Sequence, residues 1–243
     1  MTTVCILYQP GSFGSFVSWI VDRFSVERSK YEPAILDNPL KPNGSSHAYA
    51  SFCKIKRNND FMQALEDARN ENNPWGYSIY AGWPAGVGED IDAAITSTLE
   101  WMSPTDRSIL IECVDDSEHF VRYLRNEHQM DKDRWYGMME IDSDFQLYDR
   151  LKFDIANTKV SAIEDARFMR LGMTEILTAD PNILYEKIAA HLGWPVLDST
   201  LFISTLEQMR QLQQPYVDEL LTLPSKTELS PVELAIYKHR NGE

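Results

Sequence analysis

The chain has 243 residues, 43% hydrophobic and 25% charged, which is enough apolar material for one domain with a sizeable core and is not the composition of a disordered chain. A formal charge of -14 repels polyanions from most of the surface, so nucleic-acid binding is not expected, whereas a small anion in a local basic pocket is compatible with it. Cys5, Cys53 and Cys113 are odd in number and lack CxxC spacing, which argues against a disulfide framework and against a zinc site.

The first stretch, Thr3 to Tyr8, is an apolar run rich in β-formers. It meets Pro10, Gly11, Ser12 and Gly14, after which Phe16, Ile20, Val21 and Phe24 recur at helical spacing. The pattern predicts a strand, a tight glycine turn and a helix. The first N–H groups of a helix have no internal partner and the helix dipole is positive there, so the turn Pro10 to Phe16 reads as an anion site. The run into this strand has no basic segment and no apolar signal core, and no stretch is long enough to span a bilayer; a cytoplasmic protein without membrane attachment is expected.

Residues 28–58 contain Pro33, Pro39, Pro42, Asn43 and Gly44 and hold no sustained period, which predicts a long loop insertion. Lys41, His47, Lys54, Lys56 and Arg57 gather in it. Two readings are open: a basic functional loop, or a solvated loop with a β-turn at Pro42-Asn43-Gly44. Asn59 or Asp60 then caps a helix along Phe61, Leu65 and Ala68. Tyr77 to Trp83 reads as a second strand and Glu89 to Met102 as an acidic helix, stopped by Pro104. Ser108 to Cys113 is a continuous apolar run suited to a central parallel strand, and Asp116 or Ser117 caps the helix carrying Phe120, Val121 and Leu124.

Arg134 to Met139 is a strand candidate, residues 142–160 fit either element type, and Phe168 to Thr174 is a further strand. Next, Asp180 caps a helix with Pro181 in its first turn, a stripe of Ile183, Leu184, Ile188 and Leu192, and Gly193 as its stop. His191 reads as a packed structural histidine. Asp198 opens a helix along Leu201, Phe202, Leu206 and Met209, and Ser230-Pro-Val-Glu233 is a capping box before a short terminal helix. The part 180–243 is therefore expected to be helical. Strands alternating with helices predict a single α/β domain over 1–243, with a mostly parallel sheet covered by helices on both faces. The right-handed crossover rule puts the glycine turn at the carboxyl edge of that sheet.

The turn has no lysine, so it does not match GxxxxGK[ST], and GxGxxG is absent too. Its order, strand, Pro10-Gly-Ser-Phe-Gly-Ser15, helix, resembles the phosphosulfate loop of the sulfotransferases, with motif P-[KR]-[ST]-G-[ST]-T or P-K-T-G-G-T-S-F. A later segment, Leu171-Gly-Met-Thr-Glu175-Ile-Leu-Thr-Ala-Asp-Pro181 continued by Leu184 to Pro195, is similar to that family's strand, E-D-L, D-P, helix, F-L-G-L-P region. The resemblance implies a P-loop NTPase-like sulfotransferase architecture. It also implies binding of 3′-phosphoadenosine-5′-phosphosulfate (PAPS), release of 3′-phosphoadenosine-5′-phosphate (PAP), and sulfuryl transfer to a hydroxyl or amine of a small-molecule or glycan acceptor, without a metal.

On this resemblance the donor loop comprises Pro10, Gly11, Ser12, Phe13, Gly14, Ser15 and Phe16, with the amides around Ser12, Gly14 and Ser15 on the 5′-phosphosulfate. His47 is the candidate general base, with an exposed loop histidine as the open alternative. Lys41, Lys54 or Lys56 is the candidate replacement for the family's loop cation if the long loop folds back, since Gly11 stands at the matching position; Lys41 is taken as the site residue. Arg122, with Arg125 nearby, is the candidate for the 3′-phosphate, because Cys113-Val-Asp-Asp-Ser117 offers carboxylates where the family has an Arg and a Ser. A late R-K-G segment is absent. These departures leave an alternative open: a catalytically degenerate sulfotransferase-fold protein with protein partners. The chain also resembles short sulfotransferase-like proteins encoded by tailed phages, which implies an assembly role and virion association.

Overall fold

Val4, Cys5, Ile6 and Leu7 are all fully buried, and a strand covered on both faces belongs inside a parallel sheet. In the computed structural model, which describes residues 2–8, 12–23, 77–82, 91–129, 160–193 and 199–222, this strand is β1 (Thr2–Tyr8). It pairs in parallel with β2 (Tyr77–Gly82) on one side and β3 (Arg107–Glu112) on the other, and β4 (Phe168–Gly172) lies parallel beyond β3. The order is β2-β1-β3-β4. The fold is α/β, as the alternation of elements predicts. The expected loop 28–58, the helix near Asn59, the candidate strand Arg134 to Met139, the stretch 142–159 and the terminal helix after Ser230 lie outside the described residues.

The described helices are, in chain order, α1 (Gly14–Arg23), α2 (Ile91–Trp101), α3 (Asp116–Gln129), α4 (Met173–Thr178), α5 (Pro181–Leu192), α6 (Ser199–Leu212) and α7 (Gln214–Thr222). Register sorts the sheet side chains between them. Ile6, Ile109 and Met169 are aligned across three strands and, with Val4, Ile111 and Leu171, pack against residues of α1 and α3 to α7. On the opposite face Cys5, Leu7, Leu110 and Phe168 meet Ile91, Ile95 and Leu99 of α2. Helices therefore cover both faces. Cys5 and Cys113 are buried inside these cores.

Three local expectations need correction. The predicted strand Phe168 to Thr174 ends at Gly172, and Met173–Thr178 is helical. Met173, Ile176 and Leu177 are buried at i, i+3 and i+4, a helical rather than an alternating period. Ile183 and Leu201 are 63% and 47% exposed, so the buried stripes run along Leu184, Ile188 and Leu192, and along Phe202, Leu206 and Met209. The cap of α3 is Asp115, one residue before the expected Asp116 or Ser117: its Oδ1 accepts the Glu118 amide at 2.9 Å.

The ends of α5 follow the expectation. Asp180 Oδ1 accepts the amides of Asn182 and Ile183 at 2.8 and 3.3 Å, and Gly193 adopts φ 62°. This satisfies amides that the first turn leaves open, and the left-handed stop suits a residue without Cβ. His191 is structural: its Nε2 lies 3.0 Å from the Ser108 carbonyl, and Arg107 Nε donates to the His191 carbonyl at 3.0 Å. Helix α5 is thereby fastened to the start of β3. Among the described residues, no helix is long and apolar enough to cross a membrane.

Candidate functional site

The chain leaves β1 for β2 on one side, then passes to β3 and β4 on the other. The two directions part between β1 and β3, and the crevice at the carboxyl ends of such strands is where open α/β sheets bind ligands. The glycine turn opens there. Ser12 is fully buried and Phe13 nearly so. Phe13 has φ 68°, in the left-handed region, which costs a residue with a Cβ about 1–2 kcal/mol. Its ring lies under the Arg125 guanidinium, 4.0 Å from Cζ to the ring centroid. A desolvated contact of this kind contributes about 2 kcal/mol, comparable to the strain.

The Phe13 carbonyl accepts the Val17 amide at 2.9 Å, so Phe13 occupies the N-cap position of α1. A phenyl ring has no oxygen to offer the first helical amides, unlike the Ser, Thr, Asp or Asn usually found there. Gly14 follows, and a Cβ built on it would fall 1.8 Å from Tyr8 Cγ. The Tyr8 ring therefore rests directly on the glycine, and no other residue fits while the ring stays. One turn into α1, Ser18 Oγ donates to the Gly14 carbonyl at 2.8 Å. Phe16 is a core residue packed against Trp19, with ring centroids 6.0 Å apart.

Helix α3 brings His119, Arg122 and Arg125 into the interior, all at most 5% exposed. Arg122 Nη2 lies 3.5 Å from His119 Nδ1, and its Cζ is 4.8 Å from the Tyr123 ring centroid. Arg125 Nε donates to Gln213 Oε1 at 2.8 Å, between α6 and α7. Burial pushes the Arg125 pKa down to about 10, opposed by the Tyr216 phenol. At that value the guanidinium stays charged at neutral pH.

A second set of strand-end amides is already occupied. Glu118, from the first turn of α3, accepts the Val114 amide with Oε2 and the Thr174 amide with Oε1, the latter at 2.6 Å. Burial raises its pKa, the Thr174 and Val114 hydrogen bonds pull it back down, and Asp115 adds a smaller rise. This carboxylate sits where an incoming anion would meet the amides after β3 and β4. On the α2 face, Arg170 holds Glu112 through Nε–Oε1 at 2.8 Å and Nη2–Oε2 at 2.5 Å, and also reaches the Val160 carbonyl at 2.9 Å.

Of the residues expected to bind the donor, Ser12, Phe13, Gly14 and Phe16 are described at the turn, and Arg122 lies buried on α3. Pro10, Gly11, Lys41 and His47 lie outside the described residues, as does the side chain of Ser15. The late segment that carries the second resemblance is built as a clamp. Lys187 Nζ pairs with Glu175 Oε1 at 2.6 Å, and Arg210 donates to the carbonyls of Ile176 and Ala179 at 2.9 and 2.6 Å. No family model, curated protein or solved structure matches the chain. Function is therefore read from the site's own residues.

Sequence reasoning missed Tyr8, Arg125 as a partner of Phe13, and Glu118. The spacing Asp115-x-x-Glu118, a capping-box pattern after an apolar strand, was a usable signal for the last. The donor fits this site unevenly. The turn, with its backbone amides, a buried Ser12 and a glycine, suits one anionic group, whereas the amides of Val114 and Thr174 are already taken by Glu118. Among the described residues, no cluster of His, Cys, Asp and Glu is placed to hold a metal ion.

Proposed function

We propose that the protein is a divergent sulfotransferase that binds PAPS with its 5′-phosphosulfate at the β1–α1 turn and serves a hydroxyl or amine acceptor. The observation that carries this reading is Phe13 in the left-handed region, at the N-cap of α1 and at the topological switch. Backbone strain of this kind concentrates at ligand sites, and a hydrocarbon cap leaves the helix amides to another acceptor. PAPS supplies a sulfuryl group whose bond to the 5′-phosphate oxygen breaks as the acceptor oxygen or nitrogen bonds to sulfur, leaving PAP. In this reading the amides around Ser12, Gly14 and Ser15 hold the anion, His47 takes the acceptor proton, and Lys41 and Arg122 balance the donor's charge.

A second reading is favoured by Glu118. Because its carboxylate occupies the Val114 and Thr174 amides, a donor carrying a second phosphate meets an acidic group there, as expected of a scaffold retained for binding a protein partner, including a role in phage assembly. Titration of the full chain with PAP, followed by calorimetry and by the melting temperature, separates the two. Under the enzyme reading millimolar PAP raises the melting temperature through linkage. A folded protein with neither heat of binding nor a shift overturns the enzyme reading and leaves the scaffold.

A further inference from the structure

We infer that Arg125 is a positioning residue for the β1–α1 turn, holding the Phe13 backbone in its left-handed conformation by stacking on the Phe13 ring from α3. Three observations meet at this contact. Phe13 is a bulky residue with φ 68°, a conformation that it does not adopt without external support. Its ring is 3% exposed with the Arg125 Cζ 4.0 Å from its centroid. The guanidinium is itself held, because its Nε donates to Gln213 Oε1 at 2.8 Å and Gln213 is fixed at the α6–α7 junction. The Gln213 amide bonds the carbonyls of Met209 and Arg210, each at 3.0 Å, and its carbonyl accepts the Tyr216 amide at 2.9 Å.

The order of these contacts gives the direction of control. The helical pair α6–α7 fixes Gln213, Gln213 orients Arg125, and Arg125 pins the Phe13 ring. With the ring pinned, the Phe13 carbonyl is aimed at the Val17 amide, which closes the first turn of α1. A planar guanidinium suits this task because it stacks on a ring and donates from its edge at once, which an ammonium does not. The consequence for binding rests on the reading of the turn as the donor site; the shape of the turn does not.

The test uses the ligand-free full chain and the exchange rate of the Val17 amide with deuterium, measured by NMR. Arg125→Met keeps an apolar stem of similar length and removes the stack, and is expected to speed Val17 exchange about tenfold while the His119 amide within α3 is unchanged. Adding Phe13→Gly to Arg125→Met restores slow exchange, since glycine takes a positive φ without support. Arg125→Lys, which keeps the charge, serves if the methionine variant does not fold, and the same suppression by Phe13→Gly is expected in it. A purely structural role for Arg125 predicts that Phe13→Gly worsens or leaves unchanged the loss, and either result overturns the inference. A PAP titration of the same variants is a separate arm: if PAP fails to bind the unaltered protein while the suppression pattern holds, the donor reading falls and the positioning role of Arg125 stands.

Discussion

Glu118 Oε1 accepts the Thr174 amide at 2.6 Å, joining the turn after β3 to the first turn of α4. Its other oxygen accepts the Val114 amide, so a single buried carboxylate satisfies one amide just beyond each of two neighbouring strands. Replacing it by Ala leaves two half-buried donors without this acceptor, at up to about 1–3 kcal/mol each, while relieving the cost of burying a carboxylate. The expected net loss for Glu118→Ala is about 2 kcal/mol in urea denaturation, with the Thr174 amide losing protection from exchange beyond the global change. A loss below about 0.5 kcal/mol, the range of ordinary surface substitutions, would show that other groups satisfy these amides.

The contact of Tyr8 with Gly14 makes a different kind of prediction, because a Cβ at position 14 would fall 1.8 Å from Tyr8 Cγ. Gly14→Ala forces the ring to move and is expected to cost about 1–3 kcal/mol, as overpacking does. In the double variant Tyr8→Ala, Gly14→Ala the space is open, so the second substitution costs little once the first is made. A double-mutant cycle by chemical denaturation should give a coupling of about 1 kcal/mol or more; additive losses would contradict the packing. A charged residue at position 14 is for the same reason a poor probe of anion binding, since it displaces Tyr8 before its charge acts.

Much of the fold is legible in the sequence because its signals are local. The buried run Ser108 to Cys113, the cap and stop of α5 at Asp180 and Gly193, and the strand, glycine and helix order at the start each announce an element within a dozen residues. What the sequence hides is pairing over distance. Glu118 and Thr174 are 56 residues apart, and Arg125 and Gln213 are 88 apart, so no window contains both partners. Ile183 and Leu201 mislead for a related reason: apolar residues next to a helical stripe are often surface residues, and only packing shows on which side of the boundary they fall. The turn itself was found from its glycines, yet the residue that shapes it, Arg125, is supplied from α3.

Asp106 is a buried carboxylate at the amino edge of the sheet, with Oδ1 accepting the Thr3 amide at 2.7 Å and Oδ2 accepting the Ser103 amide at 2.8 Å. It fastens the start of β1 to the turn that follows α2. Asp106→Ala should lower stability by about 1–3 kcal/mol, since the buried Thr3 amide and the half-buried Ser103 amide lose their acceptor. Asp106→Asn keeps one acceptor oxygen and is expected to lose less. Equal losses in the two variants, read from urea midpoints at constant slope, would mean that the volume of the side chain and not its oxygens matters.

His191 supplies the pH dependence. Burial lowers its pKa from the ordinary value of 6.5, the Ser108 carbonyl pulls the other way, and Arg107 adds a further lowering. The folded protein therefore favours the neutral ring, and the unfolded chain binds a proton first as the pH falls. The sign follows from linkage: the stability contributed by the neutral ring is complete above about pH 6.5 and is lost as the pH falls through the lowered folded value. His191→Gln keeps an N–H donor in place of Nε2 for the Ser108 carbonyl and cannot titrate. Its melting temperature at pH 7.5 should lie near that of the unaltered protein, and between pH 6.5 and 5 it should fall less steeply. Parallel melting curves across that window would show that the ring's protonation is not coupled to folding, and that the bond to β3 alone accounts for His191.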